Sequence, residues 1–550
     1  MIHEMNRRSF LKGSAAVAAS TAVPLTAIGQ SQKPNIIFFM VDQLSAKWLW
    51  GPAAKSIHTP HFDSLRARGV AFHSTCVSNP ICAASRACLS TGLYSRNHGV
   101  LQNGYDLDLT IPTFMRELQR GGWATGAFGK VHHHPQFASV HPDYRPYGFD
   151  VVFNTEDARA GYWTDWVAQE QPKEYDAVLA TVWAAAIPEL KAYGPQKIDL
   201  SAKIKEIRKN FRWATSNFPH NTAGHYTLPF PAYTSQTEWI TRHALDFIRK
   251  SDMSKPIYAH ISYIQPHSPW CSPEEYMKNV DESKIPPPAP IEWENDPLHP
   301  KCFPLTEGAH SRIPEDWRAN RHYYMADLTY LDAQLGMILG ELEKTGRLDN
   351  TYLILLSDHG ELFYDHGFTG KGERHYDACV RVPLMISGPG LQKGLDRYDL
   401  VHLEDIFPTV MEMAGLAMPQ PVVKGHYLKR SLVAENERYP GKSLMPLCRG
   451  EQPDKWRDQL EIESYNNIGS TTPEFWARTV RTKDWRYTLY PENSGEQMFS
   501  LKEDPDEQKN LAGDPGYARV RTEMRDRLLE EIILQDYPHT QRDRFSLGVF

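Results

Sequence analysis

Long apolar runs and an excess of positive charge are both missing from this 550-residue sequence. No segment approaches the roughly 20 apolar residues that cross a bilayer as a helix, so no integral membrane segment is expected. The 60 Lys and Arg residues are outnumbered by 67 Asp and Glu, and the net charge is −7 at pH 7. This balance favours neither nucleic acid nor an anionic membrane as a partner, and any anionic ligand must be bound by a local group of cations.

Cysteine is also scarce. The seven cysteines are odd in number and form no Cys-x-x-Cys pair, which excludes a disulfide scaffold and a zinc ribbon. At least one cysteine therefore has another role, and the others are predicted to be buried thiols.

Residues 1–30 have the composition of an export signal. Arg7 and Arg8 begin a basic motif that is followed by a weakly apolar run of small residues ending near Ile28. This twin-arginine pattern predicts a bacterial protein that is periplasmic or secreted. Because twin-arginine cargo crosses the membrane already folded, a cysteine could be modified in the cytoplasm before export.

Continuous apolar runs that end on polar residues predict strands buried on both faces of a sheet. These runs are Asn35–Val41, Ile257–Ile264 and Thr351–Leu356. They alternate with segments of helical apolar spacing at Phe62–Arg68, Ile111–Arg120 and Ala326–Leu342. The alternation predicts an α/β fold with a largely parallel sheet, in which ligands bind at the carboxyl ends of the strands.

The remaining segments predict insertions and a second, smaller domain. The stretches 155–240 and 286–315 have weak periodicity and many prolines or aromatic residues, and we interpret them as insertions. After residue 445, short alternating runs and a final helix predict an antiparallel sheet packed with a helix. These runs are Gln459–Tyr465, Arg478–Tyr490 and Gln497–Leu501, and the helix is Tyr517–Gln535. The predicted domains are therefore 31–445 and 446–550.

One segment resembles a known signature. Cys82-Ala83-Ala84-Ser85-Arg86, followed by Leu89-Ser90-Thr91-Gly92, is similar to the motif of the type I sulfatases, the formylglycine-dependent family of the alkaline phosphatase superfamily. Further motifs of that family follow in its order along nearly the whole chain after the signal. They are Asp42-Gln43 after the opening strand, Gly129-Lys130-Val131-His132, His267-Ser268-Pro269, Ser357-Asp358-His359-Gly360-Glu361 and Gly370-Lys371. The resemblance implies a large mixed, mostly parallel sheet sandwiched by helices, with a smaller C-terminal α+β domain.

The resemblance also implies hydrolysis of a sulfate monoester, with a role for each matched residue. A maturation enzyme would oxidise Cys82 to formylglycine, whose hydrate attacks sulfur with one hydroxyl and later expels sulfate with the other. His267 would protonate the departing alcohol, and His132 would take the proton of the second hydroxyl. Arg86, one helical turn after Cys82, would hold the hydrate oxygens. Two lysines and one amide would contact the transferred group: Lys130, Lys371 and Asn103.

A divalent metal site is expected beside the nucleophile. Its ligands would be Asp42, Gln43, Asp358 and His359, together with the modified Cys82. These donors are mostly hard oxygens and favour Ca²⁺, while the imidazole leaves Mg²⁺ or Mn²⁺ open. The family usually has a second acid at the position of Gln43 and an Asn at that of His359. Both variants also occur in related phosphonate and phosphodiester hydrolases.

Three functions remain open at this point. The leading one is a sulfatase that acts on a sulfate ester of a carbohydrate or another alcohol. The second is a phosphodiester or phosphonate monoester hydrolase, which the retained Lys130 and His132 disfavour. The third is a catalytically silent protein that binds sulfated glycans, which would follow if Cys82 were not oxidised. Ala84 makes this last alternative worth testing, because some maturation enzymes require proline at that position.

Overall fold

A computed structural model describes residues 33–135, 137–182, 187–211, 224–303, 313–419, 439–465, 473–491 and 494–535. The predicted export signal at 1–30 lies outside these residues. Within the described part of the chain, no helix is long and apolar enough to cross a membrane.

The first apolar run forms the central strand of the main sheet. In β1, Ile36, Phe38 and Met40 point into one hydrophobic core. The intervening residues Ile37 and Phe39 point into a second core on the opposite face. A strand with both faces buried has no solvent side, which explains why its sequence is apolar throughout. The strands are β1 (Asn35–Val41), β2 (Gly69–Phe72), β3 (Thr75–Cys76), β4 (Ala124–Gly129), β5 (Val151–Asn154), β6 (His225–Thr227), β7 (Ile257–Tyr263), β8 (Trp270–Ser272), β9 (Thr351–Ser357), β10 (Leu384–Ser387), β11 (Leu395–Arg397), β12 (Val401–His402), β13 (Gln459–Ser464), β14 (Ala477–Thr482), β15 (Trp485–Leu489) and β16 (Glu496–Ser500).

Eight strands form the main sheet in the order β11-β2-β10-β9-β1-β7-β4-β5. The strand β1 pairs in parallel with β7 and β9, and β4 pairs in parallel with β7 and β5. Only β10 in this sheet runs antiparallel to its neighbours β9 and β2. The predicted mixed, mostly parallel sheet is confirmed, and the carboxyl ends of β1, β4, β5, β7 and β9 lie along the same edge.

Helices cover both faces of this sheet. On one face, α9 and α11 contribute Trp239, Ile248, Leu328 and Leu335 to the second core. On the other face, α3, α5 and α13 pack against the first core. The helices are α1 (Lys47–Trp50), α2 (Pro60–Arg68), α3 (Cys82–Thr91), α4 (Ser95–His98), α5 (Phe114–Arg120), α6 (Tyr162–Glu170), α7 (Tyr175–Thr181), α8 (Leu200–Asn210), α9 (Gln236–Lys250), α10 (Glu274–Met277), α11 (Trp317–Lys344), α12 (Asp377–Val380), α13 (Ile406–Ala414), α14 (Met445–Cys448) and α15 (Ala518–Gln535).

The predicted C-terminal sheet and helix are present. Strands β13 to β16 form an antiparallel sheet in sequence order, and α15 packs on it through Met524 and Leu528. The run predicted at Arg478–Tyr490 is two strands rather than one, because a turn follows Thr482, whose Oγ1 accepts a hydrogen bond from the main chain of Trp485 at 3.0 Å. The domain boundary between residues 445 and 446 stays a prediction.

The stretch 155–240 is more ordered than its weak periodicity indicates. Its described parts contain α6, α7 and α8, and Leu179, Leu190, Leu200 and Ile204 form a small core of their own. Short helices that pack mainly on one another leave a weaker pattern than a long helix on a sheet.

Candidate functional site

Polar residues from four neighbouring strands converge at the carboxyl edge of the main sheet. Asp42 follows β1, Lys130 follows β4, His267 lies beyond β7 and Asp358 follows β9. Cys82 is the first residue of α3 and faces this group, since its Sγ lies 4.0 Å from Oδ1 of Asp42. All five side chains are buried. The predicted site residues are therefore brought together as the parallel sheet requires.

Four side chains form a cluster with the composition of a metal site. Donor atoms of Asp42, Cys82, Asp358 and His359 all lie within 4.8 Å of one another. Nδ1 of His359 lies 2.9 Å from the carbonyl oxygen of Gly360, so the neutral ring carries its proton there and leaves Nε2 as a ligand atom. Burial, together with the charge of Lys371, lowers the pKa of His359 to about 4, which keeps the ring neutral.

Gln43 is held at the edge of this cluster in a left-handed backbone conformation, with φ of 65°. Its main-chain N–H donates to Oδ1 of Asp358 at 3.1 Å, and its side-chain amide donates to Glu361. These contacts turn Oε1 of Gln43 toward Nζ of Lys371, at 3.2 Å. Glu361 therefore orients a predicted ligand, a role that the sequence motif alone did not indicate.

The donor atoms already attract a positive charge. Nζ of Lys371 lies 2.6 Å from Sγ of Cys82 and 2.9 Å from Nε2 of His359, as well as contacting Gln43. An ammonium group in contact with three of the predicted ligand atoms indicates that the donor set fits a cation. Two carboxylates, one amide oxygen and one imidazole suit Ca²⁺, Mg²⁺ or Mn²⁺ better than a soft metal.

Arg86 bridges the two carboxylates that are predicted to bind a metal ion. Its Nε donates to Oδ2 of Asp358 at 2.7 Å, and its Nη2 donates to Oδ2 of Asp42 at 3.2 Å. Its Nη1 donates to the carbonyl of Lys130 and to Oγ of Ser262, both at 2.9 Å. A buried guanidinium with this many acceptors fixes the positions of both acids. Its predicted contact with the hydrate oxygens stays a prediction.

Lys130 is shared between two carboxylates, and the sequence reasoning missed one of them. Nζ of Lys130 lies 2.5 Å from Oδ2 of Asp42 and 2.6 Å from Oδ1 of Asp157. Asp157 belongs to the segment that follows β5. Its neighbour Glu156 accepts hydrogen bonds through Oε1 from the main-chain N–H groups of Val131 and His132. The signal was present, because Val151–Asn154 is another strand that ends in polar residues, but the strand is short and partly exposed.

The two predicted proton-transfer histidines are both buried. Within the described residues, neither ring nitrogen of His132 has a hydrogen-bond partner, and the backbone of His132 is left-handed with φ of 58°. Nδ1 of His267 lies 2.8 Å from the carbonyl oxygen of Ser268. Burial, with the neighbouring Lys371, lowers the pKa of His267 to about 4. Burial, with the neighbouring Lys130, also lowers the pKa of His132 well below its ordinary value.

The thiol of Cys82 is a poor nucleophile in this environment. Burial, followed by the charge of Asp42, raises its pKa to about 12, so the unmodified group is protonated at neutral pH. Asn103, the predicted contact for a transferred oxygen, lies beside it and accepts a hydrogen bond from the N–H of Ala83 at 3.0 Å. The six other cysteines are buried thiols, as predicted: Cys76, Cys88, Cys271, Cys302, Cys379 and Cys448.

Solved structures share this fold. A phosphonate monoester hydrolase from Silicibacter pomeroyi superimposes with a TM-score of 0.69 at 22% identity, over 91% of this chain and 95% of that chain. A 2-O GAG sulfatase superimposes with a TM-score of 0.63 at 21% identity, over 92% of each chain. The chain therefore has the alkaline-phosphatase-like fold that the resemblance of its motifs implied.

Sequence comparisons define the family of the chain. The sulfatase family profile matches residues 34–416, and the profile of the N-sulphoglucosamine sulphohydrolase C-terminal region matches residues 364–533. An arylsulfatase from Clostridium perfringens is 26% identical over 527 residues, which cover 94% of this chain and 98% of the relative. The chain belongs to the sulfatase family. A twin-arginine translocation signal matches residues 4–24, which confirms the prediction of export.

Proposed function

We propose that this sulfatase-family hydrolase cleaves a sulfate monoester of a carbohydrate or another alcohol, with formylglycine derived from Cys82 at its centre. The observation that carries the proposal is the environment of Cys82. Its Sγ is in contact with Lys371 and His359, yet burial raises the pKa of the thiol to about 12, which makes the thiol itself unreactive. Oxidation to the aldehyde, whose hydrate is an oxygen nucleophile, removes this obstacle.

The surrounding residues supply what a sulfuryl transfer needs. Lys130 and Lys371 neutralise the sulfuryl oxygens, which otherwise repel an attacking oxygen. His267 delivers a proton to the leaving alcohol, and binding of an anionic ester raises its affinity for that proton. His132, whose ring nitrogens have no partner within the described residues, holds the proton that is released when sulfate departs. Asn103 contacts a transferred oxygen beside the first turn of α3.

Asp42, Gln43, Asp358 and His359 would hold one divalent metal ion, most suitably Ca²⁺, beside residue 82. When bound, such an ion polarises the oxygen ligands around it and draws charge from the transferred group. A chelator should therefore abolish hydrolysis, and added Ca²⁺ should restore it. Thermal unfolding with and without Ca²⁺ reports on the same site independently of turnover, because a ligand of the folded state raises the unfolding midpoint.

A phosphonate monoester or phosphodiester hydrolase is the second candidate. The fold shared with the Silicibacter pomeroyi hydrolase, together with Gln43 and His359 at the metal site, supports it. A panel of matched aryl sulfates, phosphodiesters and phosphonates separates the candidates by kcat/KM. The proposal requires the sulfate to be the best substrate.

Peptide mass spectrometry across Cys82, on protein purified from its own host, tests the proposal. Conversion of the thiol to an aldehyde lowers the peptide mass by roughly 18 units, on the oxidation chemistry of cysteine. Cys88, which is buried six positions further along the same helix, is the internal control and should keep its thiol mass. An unmodified Cys82 in exported protein would contradict the proposal and would favour a silent sulfated-glycan-binding protein.

A further inference from the structure

We propose that Asp157 determines which alcohols this enzyme accepts as leaving groups, an inference that rests on the proposed sulfatase function. Asp157 would favour esters that carry a hydroxyl or ammonium group next to the ester oxygen. It would also disfavour esters that carry a second anion at that position.

The position of Asp157 is the first argument. Its carboxylate, Sγ of Cys82 and a ring nitrogen of His267 all lie within 4.8 Å of one another. Cys82 marks the attacking atom, and His267 is the residue that protonates the departing oxygen in the proposed function. A carboxylate this near to both atoms would lie close to the point where the ester oxygen leaves the transferred group, and it would therefore face the alcohol.

Charge is the second argument. Burial alone would raise the pKa of the Asp157 carboxyl, but Lys130 and then His267 hold the pKa well below its ordinary value, so Asp157 is an anion. An anion beside an anionic substrate opposes binding of the sulfuryl group. Asp157 is not the only counter-ion of Lys130, because Oδ2 of Asp42 also lies 2.5 Å from its Nζ. A hydrogen-bond donor or a positive charge on the alcohol beside Asp157 would stabilise this buried carboxylate, and a second anion there would be repelled by it.

The chemistry of the alcohol follows from these two points. A carboxylate accepts hydrogen bonds from hydroxyl and ammonium groups, and it repels a carboxylate or a second sulfate. Alcohols that have a vicinal hydroxyl or a free amino group, such as neutral and amino sugars, satisfy it. Sugars that are sulfated or carboxylated beside the scissile ester do not.

Three aryl sulfates that differ only in the substituent next to the ester test this inference on the full exported protein. The substituents are methylammonium, hydroxymethyl and carboxylate. For each protein, kcat/KM of the ammonium substrate is divided by kcat/KM of the carboxylate substrate. This ratio is then compared between the wild type and a variant, because the intrinsic reactivity of each ester is the same for both proteins and cancels. Asp157→Asn should lower this ratio at least tenfold, which corresponds to about 1.4 kcal/mol. Much of the change should be a gain for the carboxylate substrate.

The control is Asp143→Asn, which removes an exposed carboxylate paired with Arg145 and should leave the ratio unchanged. If kcat/KM falls equally for all three substrates in Asp157→Asn, Asp157 acts only as a counter-ion of Lys130. That result would overturn the inference. If the variant does not fold, the wild-type kcat/KM of each ester is divided by the rate constant of its uncatalysed hydrolysis, and a remaining preference for the carboxylate ester over the hydroxymethyl ester overturns the inference as well. Failure of the proposed function is distinct, since the wild type would then hydrolyse none of the three esters.

Discussion

Glu156 should control the activity through the turn that carries Lys130 and His132. Its Oε1 accepts hydrogen bonds from the N–H groups of Val131 and His132, at 3.1 and 3.2 Å, and from the hydroxyl of Tyr144 at 2.7 Å. His132 has a left-handed backbone, which a residue other than glycine keeps only when its surroundings enforce it. The Glu156 carboxylate therefore holds the strained turn at Val131 and His132 in place.

Substitution Glu156→Ala leaves two buried N–H groups without their acceptor. Each unsatisfied group costs about 1–3 kcal/mol, so the native turn loses roughly 2–6 kcal/mol relative to an opened one. Without these hydrogen bonds nothing offsets the energetic cost of the left-handed backbone at His132. The turn should therefore rearrange. We expect kcat to fall at least tenfold, because Lys130 and His132 move together.

Two variants at the same oxygen serve as controls. Glu156→Gln keeps an oxygen acceptor, and it replaces Oε2, which has no hydrogen-bond partner within the described residues. It should keep kcat within a few-fold of the wild type. Tyr144→Phe removes the third hydrogen bond to Glu156 and leaves the carboxylate in place for both N–H groups, so it should behave similarly. Steady-state kinetics on one sulfate ester, with thermal unfolding of each variant, measures both effects. A wild-type kcat in Glu156→Ala would refute this role of Glu156. A loss of kcat in Glu156→Gln as large as that in Glu156→Ala would refute it as well.

Two further predictions concern buried charge. Burial raises the pKa of Glu404 from its ordinary 4.5 to about 7, so the stability that the bound proton supplies is complete below pH 4.5 and is lost as the pH rises through 7. The free energy of unfolding of Glu404→Gln, measured relative to that of the wild type, should therefore rise by roughly 3 kcal/mol when the pH is raised from 4.5 to 8.5. Urea unfolding at both pH values measures this, and a difference that does not change with pH would contradict it. Arg86→Lys should cost about 3–5 kcal/mol and weaken Ca²⁺ binding, because an ammonium cannot bridge Asp42 and Asp358. Arg486→Lys, at a buried pair with Glu507, should destabilise without altering Ca²⁺ affinity, and equal Ca²⁺ binding in both variants would contradict this.

The sequence predicts the part of the site that follows long buried strands. Asp42 and Asp358 stand directly after β1 and β9, whose continuous apolar runs are unmistakable, and parallel pairing then brings the two acids together. Lys371 follows no strand and was placed only by its resemblance to a family motif. Its contact with Cys82 depends on how a loop folds over the sheet edge, which no local pattern encodes.

The segment after β5 shows why the rest was missed. Asp157 and Glu156 follow the same rule as Asp42, but β5 has four residues, and its Phe153 is 37% exposed. An edge strand does not need to be apolar throughout, so its sequence resembles a loop. Polar residues that follow a strand can therefore be predicted at the centre of the sheet but not at its edge. Asp157 follows the edge strand β5 and was missed for this reason.

Burial of Cys82 fixes an order of events for the proposed function. Its side chain is 0% exposed and lies beneath Lys371 and His359, so a maturation enzyme cannot reach it in the folded protein. In the proposed function, oxidation of Cys82 would therefore precede folding. Twin-arginine cargo is folded before it crosses the membrane, which places folding before export. Formylglycine would then be made on the unfolded chain in the cytoplasm, and a molecule that folds with its thiol intact would be exported without the nucleophile.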